Sequence, residues 1–157
     1  MLPEKLSEQT DCMANSVCEI RLTTAELKLG DDIPSFSGAV VDFWGLVRPL
    51  EAHHQIEGID YEAHTTMAEH QLQLVARQAA EKFELHSIVI HHRVGFVRVK
   101  EASVFVRVTS QHRTEAFQAN QWIMDELKRK VPIWKRPRFK FQDDLAGDTL
   151  EKDVVSQ

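Results

Sequence analysis

Only two stretches of this sequence carry the three-to-four-residue apolar period of a long helix, and the runs around them are patterned for strands. The first runs from about Thr65 to Phe83, with Met67, Leu72, Leu74, Val75, Ala79 and Phe83 as its stripe. The second runs from about Gln111 to Lys130, with Ala116, Phe117, Ile123, Met124 and Leu127 as its stripe. Ser110 is placed to cap it and Pro132 to break it. Rich in β-branched residues, "VCEIRLT" (17–23), "FSGAVVDFWGLVR" (36–48), "IEGIDYEA" (56–63), "HSIVIHHRVG" (86–95) and "ASVFVRVTS" (102–110) read as strands. In the last of these, Val104, Val106 and Val108 fall on one face and Phe105 and Arg107 on the other. Gly38 and Gly45 mark tight spots or a bulge in the second run. "IWKRPRFKF" must be extended, because Pro137 excludes a helix interior. The order β-β-β-α-β-β-α-β, with strands that mostly suit hairpins, predicts one α+β domain.

The chain has 157 residues, enough for one domain with a sizeable core, and 43% of them are hydrophobic against 27% charged, which excludes global disorder. The expected division is a flexible N-terminus over 1–16, a domain over 17–141 and an acidic, loose tail over 142–157. No apolar run approaches the ~18 residues of a spanning helix, and "MLPEKLSEQTDC" lacks the pattern of a signal peptide, so no membrane partner is expected. Cys12 and Cys18 are too few for a disulfide framework and read as reduced thiols of a cytoplasmic protein. Of eight histidines, four form the adjacent pairs His53/His54 and His91/His92, whose members point to opposite faces of a strand, and no H-x-x-x-H occurs. The expectation is no metal and no cofactor, since a phosphate-cradling glycine loop is also missing.

The net charge is −5, yet seven of the 19 Lys and Arg crowd into "KRKVPIWKRPRFK" (128–140) without one acid. Lys128, Arg129 and Lys130 suit a helix C-terminus, whose dipole prefers cations. Lys135 follows Trp134 just beyond the break, where an indole can floor a pocket and burial can lower a lysine's pKa; a surface Trp-Lys pair is the plain alternative. His112 and Arg113 sit in the first turn of the second helix, where a cation opposes the dipole but a bound anion is favoured. Arg48 stands where a strand leaves the sheet, a common place for an anion clamp. Fifteen residues separate Arg113 from Lys128, about 22 Å along a straight helix, so both can serve one small ligand only if a second copy supplies one end. Nucleic acid is not an expected partner, because strand alternation splits the faces of Trp134, Phe139 and Phe141.

Taken in order, "SGAVVDFWGLVR", "YEAHTTMAE", "IHHRVG", "EASVFVRVTSQHRTEAFQA" and "IMDELKRKVPIWK" resemble the large, catalytic subunits of molybdopterin synthases, from about Val17 to Lys135. The resemblance implies an α/β-hammerhead fold: α+β, mostly antiparallel, with two main helices and a small extra antiparallel subdomain. It implies a sulfurtransferase in molybdenum cofactor biosynthesis. Two large subunits would form a central homodimer, and each would bind a small ubiquitin-like sulfur carrier ending in a Gly-Gly thiocarboxylate, a heterotetramer overall. Sulfur would pass to a pterin, cyclic pyranopterin monophosphate, to form the molybdopterin dithiolene. Lys128 and Lys135 resemble the two essential lysines, the first near the carrier terminus and the second near the pterin. His112 and Arg113 resemble substrate-binding residues lent by the partner copy, and Leu46, Val47 and Arg48 the remaining wall, with Arg136 and Pro137 beside Lys135. This chain departs from the pattern twice. "PLEAHHQIEG" replaces a loop that usually carries Asn and Gly, and Lys135-Arg136-Pro137 replaces Lys-x-Glu, so an acid neighbouring the lysine is missing. The alternative reading is a non-catalytic module that only holds a ubiquitin-like tail.

Overall fold

A computed structural model describes residues 9–13 and 16–141. The order is β1 (Gln9–Met13), β2 (Ser16–Thr23), β3 (Ala39–Leu46), β4 (Leu50–Glu51), β5 (His54–Ala63), α1 (Thr65–Phe83), β6 (Ser87–Arg93), β7 (Gly95–Arg98), β8 (Ala102–Ser110), α2 (Arg113–Lys130) and β9 (Ile133–Phe139). The main sheet runs β1-β2-β6-β8-β3, parallel only between β2 and β6. A smaller antiparallel sheet is organised on β5, which pairs with β4, β7 and β9. The architecture is the expected α+β domain with a second small sheet.

Burial explains why the two helical stretches fold as they do. Ala68, Leu72, Val75, Ala76 and Ala79 of α1 and Ala116, Ala119, Ile123 and Leu127 of α2 close over one face of the main sheet, onto Val104, Val106 and Val108 of β8. The opposite face of β8 is also covered. Phe105 packs on Trp44 at 4.4 Å, and Arg107 clasps Asp42 with two bonds of 2.7 and 2.8 Å while donating to the Gly30 carbonyl. Asn120 fixes α2 to the sheet by donating its amide to the carbonyls of Val41 and Val106. A second apolar cluster, Val47, Ile56, Ile59 and Val97, holds the small sheet together.

Several sequence expectations change. The stretch 1–16 was expected to be irregular, but Gln9–Met13 forms a strand paired antiparallel to β2. The loop 49–55 contains β4, and β7 begins at Gly95, where the run 86–95 was expected to stop; both are too short to show a period. Ser110 does not cap α2. The N-cap is His112, without a side-chain capping bond, and the Ser110 hydroxyl instead donates to the His112 carbonyl. Met67 and Phe117, placed in the apolar stripes, are exposed, because the small Ala68 and Ala116 beside them face the sheet. Cys18, expected as a reduced thiol, is disulfide-bonded. The tail 142–157 lies outside the described residues.

Candidate active site

The carboxyl end of β3 turns out of the main sheet at a register shift between Gly45 and Leu46. Glycine is required there, since a Cβ on Gly45 would meet Val104 Cγ1 at 2.5 Å. Beyond the bulge, backbone bonds from Val47 to the Glu101 carbonyl and from Lys100 to the Val47 carbonyl hold the strand end in place. Leu46, Val47 and Arg48 thereby enter the wall of a cleft of about 670 Å³ between the two sheets and the end of α2. Also in the lining are Glu51 of β4, Ile59 and Tyr61 of β5, His92 of β6, Ser103 of β8, Met124, Leu127 and Lys128 of α2, and Ile133 and Lys135 of β9.

Lys128 follows the buried Leu127 at the last turn of α2, so the helix's apolar stripe carries it to the cleft rim. Past Pro132 the chain becomes β9, whose Lys135 lies directly across from Tyr61. The strand alternation then decides the rest. Ile133 and Lys135 face the cleft, while Trp134 and Arg136 face away. Trp134 is therefore no floor for Lys135; it is 56% exposed on the other face.

Six of the seven crowded cations resolve into three groups, and the seventh, Lys140, is exposed just past the end of β9. Arg129 and Lys130 pair with Glu126, a buried acid one turn earlier, and are helix-end charge. On the outer face of the small sheet Arg136 pairs with Glu62 at 3.0 Å, and Arg138 grips Asp60 with both nitrogens over the Phe96 ring. In the cleft, Lys135 lies 3.8 Å from one Glu51 oxygen and Arg48 lies 3.8 Å from the other. Among the described residues Lys128 has no ion-pair partner. The cleft thus holds three cations and one carboxylate, which Arg48 and Lys135 approach and Lys128 does not, an excess suited to an anion. The acid missing after Lys135 in sequence is supplied in space by Glu51, which no motif signalled.

Two further lining residues escaped the sequence reading. Tyr61 reads in the sequence only as an apolar strand member; burial pushes its phenol up, so it stays protonated at neutral pH. His92 packs edge-on against Tyr61 at 5.3 Å and donates Nδ1–H to the Arg93 carbonyl. Burial holds its pKa below the usual 6.5, which makes it a neutral wall at pH 7. The alternation of β5 and β6 could have placed both inward.

Not every expected site residue joins the cleft. Pro137 opposes Ile59 in the sheet without lining the cavity, and Arg136 is on the outer face. His112 and Arg113 are exposed at the far end of α2, where His112 borders a separate depression with Phe36, His86 and Glu115. One chain does not bring them to Lys128, as the helix length requires. No group of three or more side chains able to hold a metal occurs among the described residues, and no helix among them is long and apolar enough to cross a membrane.

Comparison with known proteins follows the same outline. The family model described as "MoaE protein" matches residues 19–130. The molybdopterin synthase catalytic subunit of Pyrococcus abyssi is 38% identical over 102 residues, covering 65% of this chain and 69% of that one. That of Bacillus subtilis is 35% identical over 115 residues, 73% of each. The crystal structure of molybdopterin synthase from Staphylococcus aureus superposes with a TM-score of 0.66 at 34% identity, over 69% of this chain and 79% of its own. With its family match running from Glu19 in β2 to Lys130 at the end of α2, the chain belongs to the MoaE protein family.

Proposed function

We propose that this chain is the catalytic subunit of a molybdopterin synthase, a sulfurtransferase. Sulfur moves from the C-terminal thiocarboxylate of a small ubiquitin-like carrier to cyclic pyranopterin monophosphate, building the molybdopterin dithiolene. The observation that carries this reading is a cleft lined by Arg48, Lys128 and Lys135 in which Glu51 is the single carboxylate among the described lining residues. A cyclic phosphate and a thiocarboxylate are both anions, and like charges 4 Å apart repel by about 1 kcal/mol in water and several times more near a protein surface. An excess of fixed cations removes that barrier to bringing them together.

Roles follow from position. Lys128, with no carboxylate to compete for it, meets the carrier terminus and stabilises the oxyanion that develops on its carbonyl as sulfur leaves. Lys135 and Arg48 hold the pterin phosphate, the guanidinium fork matching two of its oxygens. Leu46, Val47, Met124, Leu127 and Ile133 form the apolar wall that limits water at the reacting atoms. His112 and Arg113 act in the cleft of a second copy, which makes the working unit a homodimer with one carrier on each large subunit.

The test is direct. Full-length chain mixed with thiocarboxylated carrier and cyclic pyranopterin monophosphate forms molybdopterin, detected by fluorescence after oxidation. Binding of the carrier without any molybdopterin would instead identify a module that only holds the tail.

A further inference from the structure

We infer that Glu51 is the internal counter-anion of the cleft, a positioning residue that keeps Arg48 and Lys135 at the rim in the free protein and yields both to an incoming anion. This rests on the reading of the cleft as an anion site. The two carboxylate oxygens are divided between two cations, Oε1 towards Lys135 Nζ and Oε2 towards Arg48 Nη2, each at 3.8 Å. That distance is an ion pair but beyond hydrogen-bond reach, so neither cation is locked. The Arg138–Asp60 pair outside the cleft shows the contrast, closed by two hydrogen bonds. A phosphate can offer Arg48 a bidentate contact that Glu51 does not make.

The backbone around Glu51 is built at a cost. Glu51 pairs with His54 across a two-residue turn, Ala52–His53, in which both residues take left-handed φ values of 48° and 68°. Such a turn favours Asn and Gly, and an L side chain at either position is strained there. The turn forms nonetheless, closed by His54 Nδ1–H donating to the Ala52 carbonyl at 2.8 Å. The hairpin sets Glu51 between Arg48, three residues back, and Lys135, brought alongside by β9. Lys128 is left outside this arrangement and meets a ligand unopposed. The free cleft therefore binds anions more weakly than its three cations alone would, and Glu51 re-forms the bridge when the anion departs.

Isothermal titration of the full chain with inorganic pyrophosphate separates the outcomes. Glu51→Gln keeps the side chain's size and removes its charge. It should bind pyrophosphate roughly tenfold more tightly than wild type, as one unit charge a few ångströms from the ligand implies at a surface-like dielectric. Glu51→Asp retains the charge and stays within about twofold of wild type on the same electrostatic argument. Lys128→Ala weakens binding. A merely structural Glu51 would give the opposite sign in the Gln variant, a lower melting temperature and weaker binding. Equal or weaker binding in Glu51→Gln, with the Lys128→Ala loss intact, overturns the counter-anion role and leaves the anion site standing. Unchanged binding in Lys128→Ala overturns the anion site itself, and the role of Glu51 with it.

Discussion

Cations gather on both sides of the small sheet, and the two sides are electrically different. Outside, Arg136 and Arg138 each have an acid of β5 within 3.0 Å, so the charge is balanced pair by pair. Inside, Arg48, Lys128 and Lys135 have only Glu51, held loosely by two of them. Within β9, Lys135 goes to the cleft while Arg136 and Arg138 go to the outer face, because alternate residues of a strand point to opposite sides; Lys128 comes from α2 and Arg48 from the end of β3. A charge cluster in sequence is thus no guide to a charged site until the strand sorts it. What marks the cleft is the shortage of acids, since cations are plentiful on both faces.

That contrast can be broken by substitution. Lys128→Ala should lower the rate of molybdopterin formation by about 10²–10³-fold, the loss seen when one donor to a developing oxyanion is removed. Its melting temperature should stay at the wild-type value, because the side chain is exposed and unpaired among the described residues. A rate within threefold of wild type would remove Lys128 from the chemistry. Arg138→Ala, on the balanced face, should do the reverse: activity unchanged, with a drop in melting temperature of no more than about 4 °C, as for an exposed ion pair. Loss of activity without loss of stability there would extend the site to the outer face.

Smaller effects sharpen the picture. Ala52→Gly relieves a left-handed φ of 48° at the cleft hairpin and should stabilise the fold by about 0.5–1 kcal/mol, seen as a higher denaturant midpoint. The smallest is a pH effect. His92, and His91 beside Glu19, are held below 6.5 chiefly by burial. Below pH 6.5 the unfolded chain takes up protons that the folded chain refuses. Stability is therefore whole above pH 6.5 and is lost as pH falls from there through the lowered folded values. Melting curves against pH should show this slope, and His92→Gln should make it shallower; an unchanged slope would assign it elsewhere.

How much of this was legible beforehand depended on the length of the pattern. Nineteen periodic residues were enough to place α1 at Thr65–Phe83, and nine alternating ones to place β8 at Ala102–Ser110. β4 has two residues and β7 four, so neither carries a readable period, and both owe their pairing to β5. Of the residues that the sequence offers for a site, Lys128, Lys135, Arg48, Leu46 and Val47 line one cleft. Of the two places the sequence leaves open for Trp134, strand alternation takes the surface one, since adjacent residues of a strand cannot share a face. Glu51 was invisible for another reason: its partner Lys135 is 84 positions away, and only the pairing of β9 with β5 brings them together. Arg113 illustrates the opposite case, since helix rise alone separated it from Lys128.

That separation gives the account its most direct test. If Arg113 of one copy completes the cleft of another, chains bearing Lys128→Ala and chains bearing Arg113→Ala are each inactive as homodimers. After subunit exchange the mixed dimer holds one cleft with both residues intact. Mixing the two purified variants should then restore molybdopterin formation that neither shows alone. A mixture that exchanges subunits and stays inactive would contradict a cleft shared between two copies.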